Sequence, residues 1–342
     1  MVQRVCIANA VGVLHKFSIR FAKHFFHFRY MQSSFYAHGK LMLTGEYFVL
    51  DGAQALALPT RFGQKVEIKQ LSGSNKSLFW VALDNAGKPW LQAVFDKETL
   101  ATSSNQAEAQ MLVKILSVCK ILNPNFLSGA QDVAVQTQLE FPRNWGLGSS
   151  STLLYSIAQW AQVNPFELLQ QTFGGSGYDI ACAGSNQPIL FSRESGKPEF
   201  TQVFFDPVFK TQILFVHLGK KQLSTSGIAH YNSLLVQKQP YVQWLNSLTQ
   251  AMLNCSGIQK FMQIIEAHEN YVAEALALEK VKKIHFKHLP VAAKSLGAWG
   301  GDFAMLAFTE EKETIKAALK KSGFETVLEW HEIILQPPPQ HY

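Results

Sequence analysis

From Phe35 onward, apolar residues fall in short runs punctuated by glycine, and their spacing separates strand-like from helix-like stretches. Lys65-Val66-Glu67-Ile68-Lys69 alternates with the period of two of a half-buried strand. Ser77 to Leu83 and Trp90 to Phe95 flank the turn-rich hexapeptide Asp84-Asn85-Ala86-Gly87-Lys88-Pro89, which predicts a β-hairpin with a loop longer than the tightest type. Ala107 to Leu122 sets Met111, Leu112, Ile115, Val118, Cys119 and Leu122 on one broad apolar face, the signature of a helix. Alternation returns at Asp132 to Leu139. Two helices are expected next, at Ser150 to Val163 and from about Pro165 to Phe173, the second with Asn164 as N-cap and Pro165 at its first position.

Strands are then expected at Pro188 to Ser192, Gln202 to Phe205 and Thr211 to Leu218, followed by mostly helical chain from Ser224 to about Glu279. A final strand, helix and strand are read at Phe303 to Phe308, Glu310 to Ser322 and Glu325 to Leu335. Strands and helices mix without a regular βα alternation, which predicts an α+β fold in two lobes with a boundary near 190 to 200. No internal repeat or low-complexity segment occurs, and Pro337-Pro338-Pro339 forms a stiff terminal tail.

The 342 residues, 47% of them hydrophobic, suffice for about two domains with sizeable cores. No apolar run approaches the ~18 to 20 residues of a membrane span, so a soluble chain without a membrane partner is expected. The net charge of +6 invites a nucleic-acid reading until its location is considered. Residues 1–30 hold Arg4, Lys16, Arg20, Lys23 and Arg29 and no acid. Taking those five from the 31 basic side chains leaves 26 against 25 acidic ones, so the remaining body offers no electrostatic footprint for phosphate backbones. The leader 1–30 fits a targeting segment, with Phe17, Phe21, Phe25 and Phe28 at helical spacing, or a start-site artefact. Met31, directly before the first organised segment, favours the second reading. Cys6, Cys119, Cys182 and Cys255 are scattered without a C-x-x-C pair, which suggests neither zinc nor a disulfide framework and fits a reducing cytoplasm.

The strongest local chemistry is Gly146-Leu147-Gly148-Ser149-Ser150-Ser151, running directly into an apolar-periodic helix. Glycines let backbone approach an anion closely, and the helix adds unpaired N–H groups and its positive dipole end. The loop is neither a Walker A motif nor a G-x-G-x-x-G dinucleotide fingerprint, and taken alone it is better read as an ordinary Gly-Ser turn capping a structural helix. Two further glycine elements change its context: His38-Gly39-Lys40-Leu41-Met42-Leu43-Thr44-Gly45-Glu46-Tyr47-Phe48-Val49-Leu50-Asp51-Gly52 and Lys294-Ser295-Leu296-Gly297-Ala298-Trp299-Gly300-Gly301-Asp302-Phe303.

Three such elements in this order resemble the GHMP kinase superfamily, the group of galactokinase, homoserine kinase, mevalonate kinase and phosphomevalonate kinase. The resemblance spans Phe35 to about Phe308. Within it, Gly174-Gly175-Ser176-Gly177-Tyr178-Asp179-Ile180-Ala181 is similar to the S-G-x-D element of the mevalonate and phosphomevalonate kinase branch, and its Gly-Tyr-Asp-Ile-Ala string resembles a GHMP subfamily named after it. The resemblance implies a two-lobed GHMP kinase fold, with an ATP-binding domain at 31–192, a C-terminal domain at 193–342 and the active site between them.

It further implies transfer of the γ-phosphoryl of Mg-ATP to a small-molecule hydroxyl or phosphate, with mevalonate or phosphomevalonate preferred as acceptor. Asp179 would accept the acceptor's proton or orient the nucleophile, and Lys40 would lower the acceptor hydroxyl's pKa or neutralise developing charge, with a helix-capping aspartate and an exposed strand lysine as the structural alternatives. Gly146, Leu147, Gly148, Ser149, Ser150 and Ser151 would cradle the phosphates, the Ser150 hydroxyl assisting Mg²⁺. The metal carboxylate has no certain counterpart, and Glu167 is the nearest candidate, although on a helix it also fits a solvent-facing position. Glu46, Ser176, Gly177, Gly297, Gly300 and Gly301 are substrate-side candidates, with a structural strand-end role open for Glu46. Lys220 and Lys221 fit either an anionic acceptor or a solvated pair. Trp299 and Asp302 depart from the family's small residues and bring bulk and a charge to the third loop. A kinase for a sugar or an amino-acid alcohol, and a nucleotide-binding protein without phosphotransfer, stay open, as does a homodimer.

Overall fold

One strand of 16 residues, β2 (Ala55–Gln70), organises the first sheet by pairing along its length with β1 (Gln32–Met42) and along its other edge with two shorter strands. The computed structural model describes residues 32–194, 196–219, 224–234, 237–297, 299 and 301–336. The leader, Lys220-Lys221, Gly300 and the proline tail lie outside them.

The hairpin read from the sequence is β3 (Ser77–Leu83) with β4 (Pro89–Asp96), closed by the Asp84 carboxylate accepting from the backbone of Ala86 and Lys88. β3 runs parallel to β5 (Val133–Leu139), and β5 pairs antiparallel with β2. β6 (Ile189–Glu194) and β7 (Lys197–Gln202) complete a seven-stranded sheet, in the order β4-β3-β5-β2-β6-β7 with β1 on β2. The strand expected at Gln202 to Phe205 is corrected here. The chain turns at Gly196, at φ +80°, and pairs straight back on β6, so the edge strand falls earlier, in a mostly exposed stretch without apolar alternation.

Helices α1 (Ala107–Leu122), α2 (Ser149–Ala161) and α3 (Pro165–Thr172) cover one face of this sheet. Val66, Ile68, Leu78, Trp80 and Phe95 pack there against Leu112, Ile115, Leu116 and Ile157, burying apolar area at about 25 cal/mol per Å². Asn164 caps α3 as expected, its side chain accepting from the N–H groups of Phe166 and Glu167. A short helix, α4 (Tyr178–Ala183), leads into β6.

The second sheet has four antiparallel strands in the order β11-β8-β10-β9: β8 (Ile213–His217), β9 (Val291–Leu296), β10 (Phe303–Phe308) and β11 (Val327–Glu329). Helices α5 (Ser224–Ser233), α6 (Lys238–Leu253), α7 (Ile258–Leu276) and α8 (Val281–His285) precede β9, and α9 (Lys312–Lys321) follows β10. The strand expected at Glu325 to Leu335 is only three residues long. Glu329 and Glu332 form a capping box that starts α10 (Trp330–Ile333) and ends it. A shared core ties the sheets together, with Leu41, Leu58, Phe141 and Leu147 packed among Phe215, Phe261, Ile265, Met305 and Trp330. No helix among the described residues is long and apolar enough to cross a membrane.

Candidate functional site

Lys40 lies where the three glycine elements meet. A register shift between His38 and Lys40 interrupts β1, a bulge of the kind that re-aims a side chain, and the Lys40 N–H donates to Leu147 O at 3.0 Å. Its Nζ donates to Gly146 O at 2.9 Å and lies 5.7 Å from the centre of the Tyr178 ring. Burial alone would lower the Lys40 value. Tyr178, Asp179 and Asp302 outweigh that and hold the ammonium above the ordinary lysine range. Tyr178 itself is pushed up to about 12, by burial first.

The loop around Lys40 owes its shape to its residue types. Leu147 is fully buried in the shared core and anchors the loop. Gly146, at φ +65°, faces Asp302 so closely that an added Cβ would stand 2.1 Å from the Asp302 carboxyl carbon. Gly148 takes the left-handed conformation at φ +88° and starts α2, and no side chain caps its first turn. Ser149 is half-buried, Ser150 exposed and Ser151 buried.

Ser151 connects the Gly146–Ser151 loop to the S-G-x-D element, its hydroxyl donating to Asp179 Oδ2. Asp179 is half-buried in the first turn of α4, and its Oδ1 accepts from the Ile180 N–H. The turn before it is held by Gly177 at φ +96°, with Phe166 against its Cα, while the Ser176 hydroxyl reaches the Tyr178 N–H at 3.5 Å. Gly297 approaches the same point from the third element: a Cβ there would lie 4.0 Å from Lys40 Nζ and 3.8 Å from Asp302 Oδ2. Gly301 stands beside Asp302, which has φ +55°. The structure thus assembles Lys40, Asp179, Ser151, Gly146, Gly297 and Asp302 around one point.

Two candidates fall elsewhere. Glu167 is exposed on α3, where its carboxylate accepts from Gln171 one turn on. Glu46 is 1% exposed, its Oε1 taking the Nζ of a fully buried Lys294. His268 lies 3.5 Å from Glu46 Oε2 and accepts the Gly45 N–H at Nε2, while Glu269 accepts from the backbone N–H groups of Val281 and Ser295 and from the Ser295 hydroxyl. Sequence reasoning missed this buried group. The available signal was His268 and Glu269 in the apolar stripe of α7, beside Ile264, Ile265 and Val272.

The buried group makes stability depend on pH in two opposing ways. His268 is held well below its ordinary value, by burial and then by the Lys294 ammonium, and Glu46 is pushed up to about 7 by burial against the pull of Lys294. A histidine neutral in the fold but protonated when unfolded loses stability as pH falls below the ordinary 6.5. A glutamate that keeps its proton in the fold loses stability as pH rises from 4.5 towards about 7. His268→Gln retains an acceptor for the Gly45 N–H and removes only the first effect. Its stability relative to wild type should rise below pH 6.5, at up to about 1.4 kcal/mol per pH unit. Urea midpoints between pH 5 and 7 check this, and parallel curves for the two proteins would contradict it.

No protein-family model matches this sequence, and no curated protein does. Solved structures do. Methanococcus jannaschii mevalonate kinase aligns with a TM-score of 0.66 at 14% identity, over 90% of this chain and 99% of that one. Lactococcus lactis galactokinase, complexed with galactose, gives 0.65 at 14% identity over 91% and 93%. Streptococcus pneumoniae phosphomevalonate kinase, in complex with phosphomevalonate and AMPPNP, gives 0.64 at 15% identity over 87% and 99%. All are GHMP kinases, and the chain has the α+β GHMP kinase fold.

Proposed function

We propose that this chain is an ATP-dependent small-molecule kinase that transfers the γ-phosphoryl of Mg-ATP to an acceptor hydroxyl or phosphate, with mevalonate or phosphomevalonate as the preferred acceptor. The carrying observation is the convergence of a buried ammonium, Lys40, and a carboxylate, Asp179, on an uncapped helix N-terminus. Phosphoryl transfer asks for positioning and charge neutralisation, and these groups supply both. The N–H groups at the start of α2 and the Gly146–Ser151 loop would hold phosphate oxygens. Lys40, anchored on Gly146 O, would offset charge developing between γ-phosphate and acceptor. Asp179, oriented by the Ser151 hydroxyl, would take the proton of an acceptor hydroxyl, which is poorly nucleophilic while protonated.

The donor set fits Mg²⁺, since Asp179, Asp302 and the exposed Ser150 hydroxyl offer the hard oxygens this ion takes, whereas Glu167 points outward. The Ser150 hydroxyl and the Asp302 carboxylate would hold it, which leaves Asp179 for the acceptor's proton. Once bound, the ion neutralises phosphate charge and orients the nucleotide.

The acceptor preference rests on the Ser176-Gly177-Tyr178-Asp179 element and is tested by ADP release from Mg-ATP with R-mevalonate, phosphomevalonate, homoserine and galactose. Release dependent on mevalonate or its phosphate is expected. Turnover with galactose or homoserine alone would keep the kinase and change the acceptor. Nucleotide binding without turnover on any acceptor would favour a non-catalytic nucleotide-binding protein.

A further inference from the structure

Three consecutive residues at the exit of β1 each bond to the part of the chain that carries the second sheet. The Gly45 N–H donates to His268 Nε2 on α7 at 3.3 Å, Glu46 Oε1 takes the Lys294 ammonium on β9, and the Tyr47 phenol accepts the Trp299 N–H at 3.0 Å. Lys294 and Trp299 bracket Gly297, whose Cα faces Lys40 and Asp302, and Asp302 in turn packs on Gly146. Tyr47 sits at φ +60°, a strained conformation for a tyrosine that persists only where the surroundings over-determine it. Its hydroxyl is wedged between the Trp299 N–H and Gly227, where a Cβ would approach to 2.3 Å. Trp299 is fixed from its other side by its indole N–H on Glu279 O.

We propose that Gly45-Glu46-Tyr47 is a clasp that sets the third glycine element over the phosphate loop, making Glu46, Tyr47 and Lys294 positioning residues on the nucleotide side rather than acceptor-binding ones. Glu46 and Lys294 are buried in each other's contact and cannot reach an acceptor while paired. Their influence passes through Gly297 and Asp302 to Lys40 and Gly146. This inference deepens the kinase reading and rests on it for its catalytic consequence, while the clasp itself is a claim about the third element alone.

Tyr47→Phe tests it with the smallest change, deleting one oxygen that accepts one backbone N–H. The expected result is faster amide hydrogen exchange in the stretch from Lys294 to Phe303, about a tenfold weaker Mg-ATP affinity by calorimetry, and an unchanged acceptor KM. Glu46→Gln, which removes the charge opposite Lys294, should act in the same direction, and Glu46→Asp should restore part of the loss. Unchanged exchange in that stretch, or an effect confined to acceptor KM, would overturn the clasp. Faster exchange in a protein that turns over no acceptor would retain the clasp and sink the kinase reading, so the two fail separately.

Discussion

Asp179→Asn is expected to bind Mg-ATP about as tightly as wild type and to turn it over about 10²–10⁴-fold more slowly, the usual contribution of a positioned general base. The substitution preserves shape. The Ser151 hydroxyl, which donates to Asp179 Oδ2, can still donate to the asparagine carbonyl, so the link between the Gly146–Ser151 loop and α4 survives. What disappears is a group able to hold the acceptor's proton. A kcat that falls with unchanged nucleotide affinity is therefore the signature to measure, by steady-state ADP release beside calorimetric titration. A variant retaining full kcat would remove Asp179 from proton transfer, and one losing nucleotide affinity in step with kcat would make it a binding residue.

The second large effect is on stability. Above pH 7, where Glu46 is ionised in the fold, Lys294→Ala leaves this 1% exposed carboxylate without its cation, and stranding one member of a buried ion pair costs about 3–5 kcal/mol. Domains are stable by only about 5–15 kcal/mol, so much of the margin would be lost. The cost should be non-additive. Glu46→Gln combined with Lys294→Met removes both charges from the same interior and should recover most of it, because an apolar or neutral replacement of a buried pair is often nearly neutral. Urea unfolding of the single and double variants decides this, and equal losses in both would show that the pair contributes through packing rather than charge.

Much of this arrangement was legible in the sequence, for reasons that particular residues make plain. Ala107–Leu122 and Phe303–Phe308 agree residue for residue with the expected elements, because a broad apolar face and an unbroken apolar run each match one period. Asn164-Pro165 announced a helix start through local chemistry alone. Elements governed by non-local pairing were harder. β7 is an edge strand whose pattern carries little apolar signal, and β9, not anticipated, hides Lys294 inside a wholly buried run. At the site, the glycine elements marked Lys40, the Gly146–Ser151 loop and Asp179, and the structure brings them together. Glu46 was marked without its partner, since nothing in the sequence pairs it with Lys294, 248 positions on. Only the fold does that. Glu167 looked suitable by its proximity in sequence, but helix α3 turns its carboxylate outward.

Whether this site moves a phosphoryl group is read out by the ³¹P spectrum of protein, Mg-ATP and the acceptor panel. The ATP γ resonance is expected to be replaced by one new phosphorylated-acceptor resonance for each ADP formed. This exchange should be lost with Asp179→Asn. Unchanged ATP with every acceptor, or its conversion to inorganic phosphate alone, would contradict phosphoryl transfer by this site.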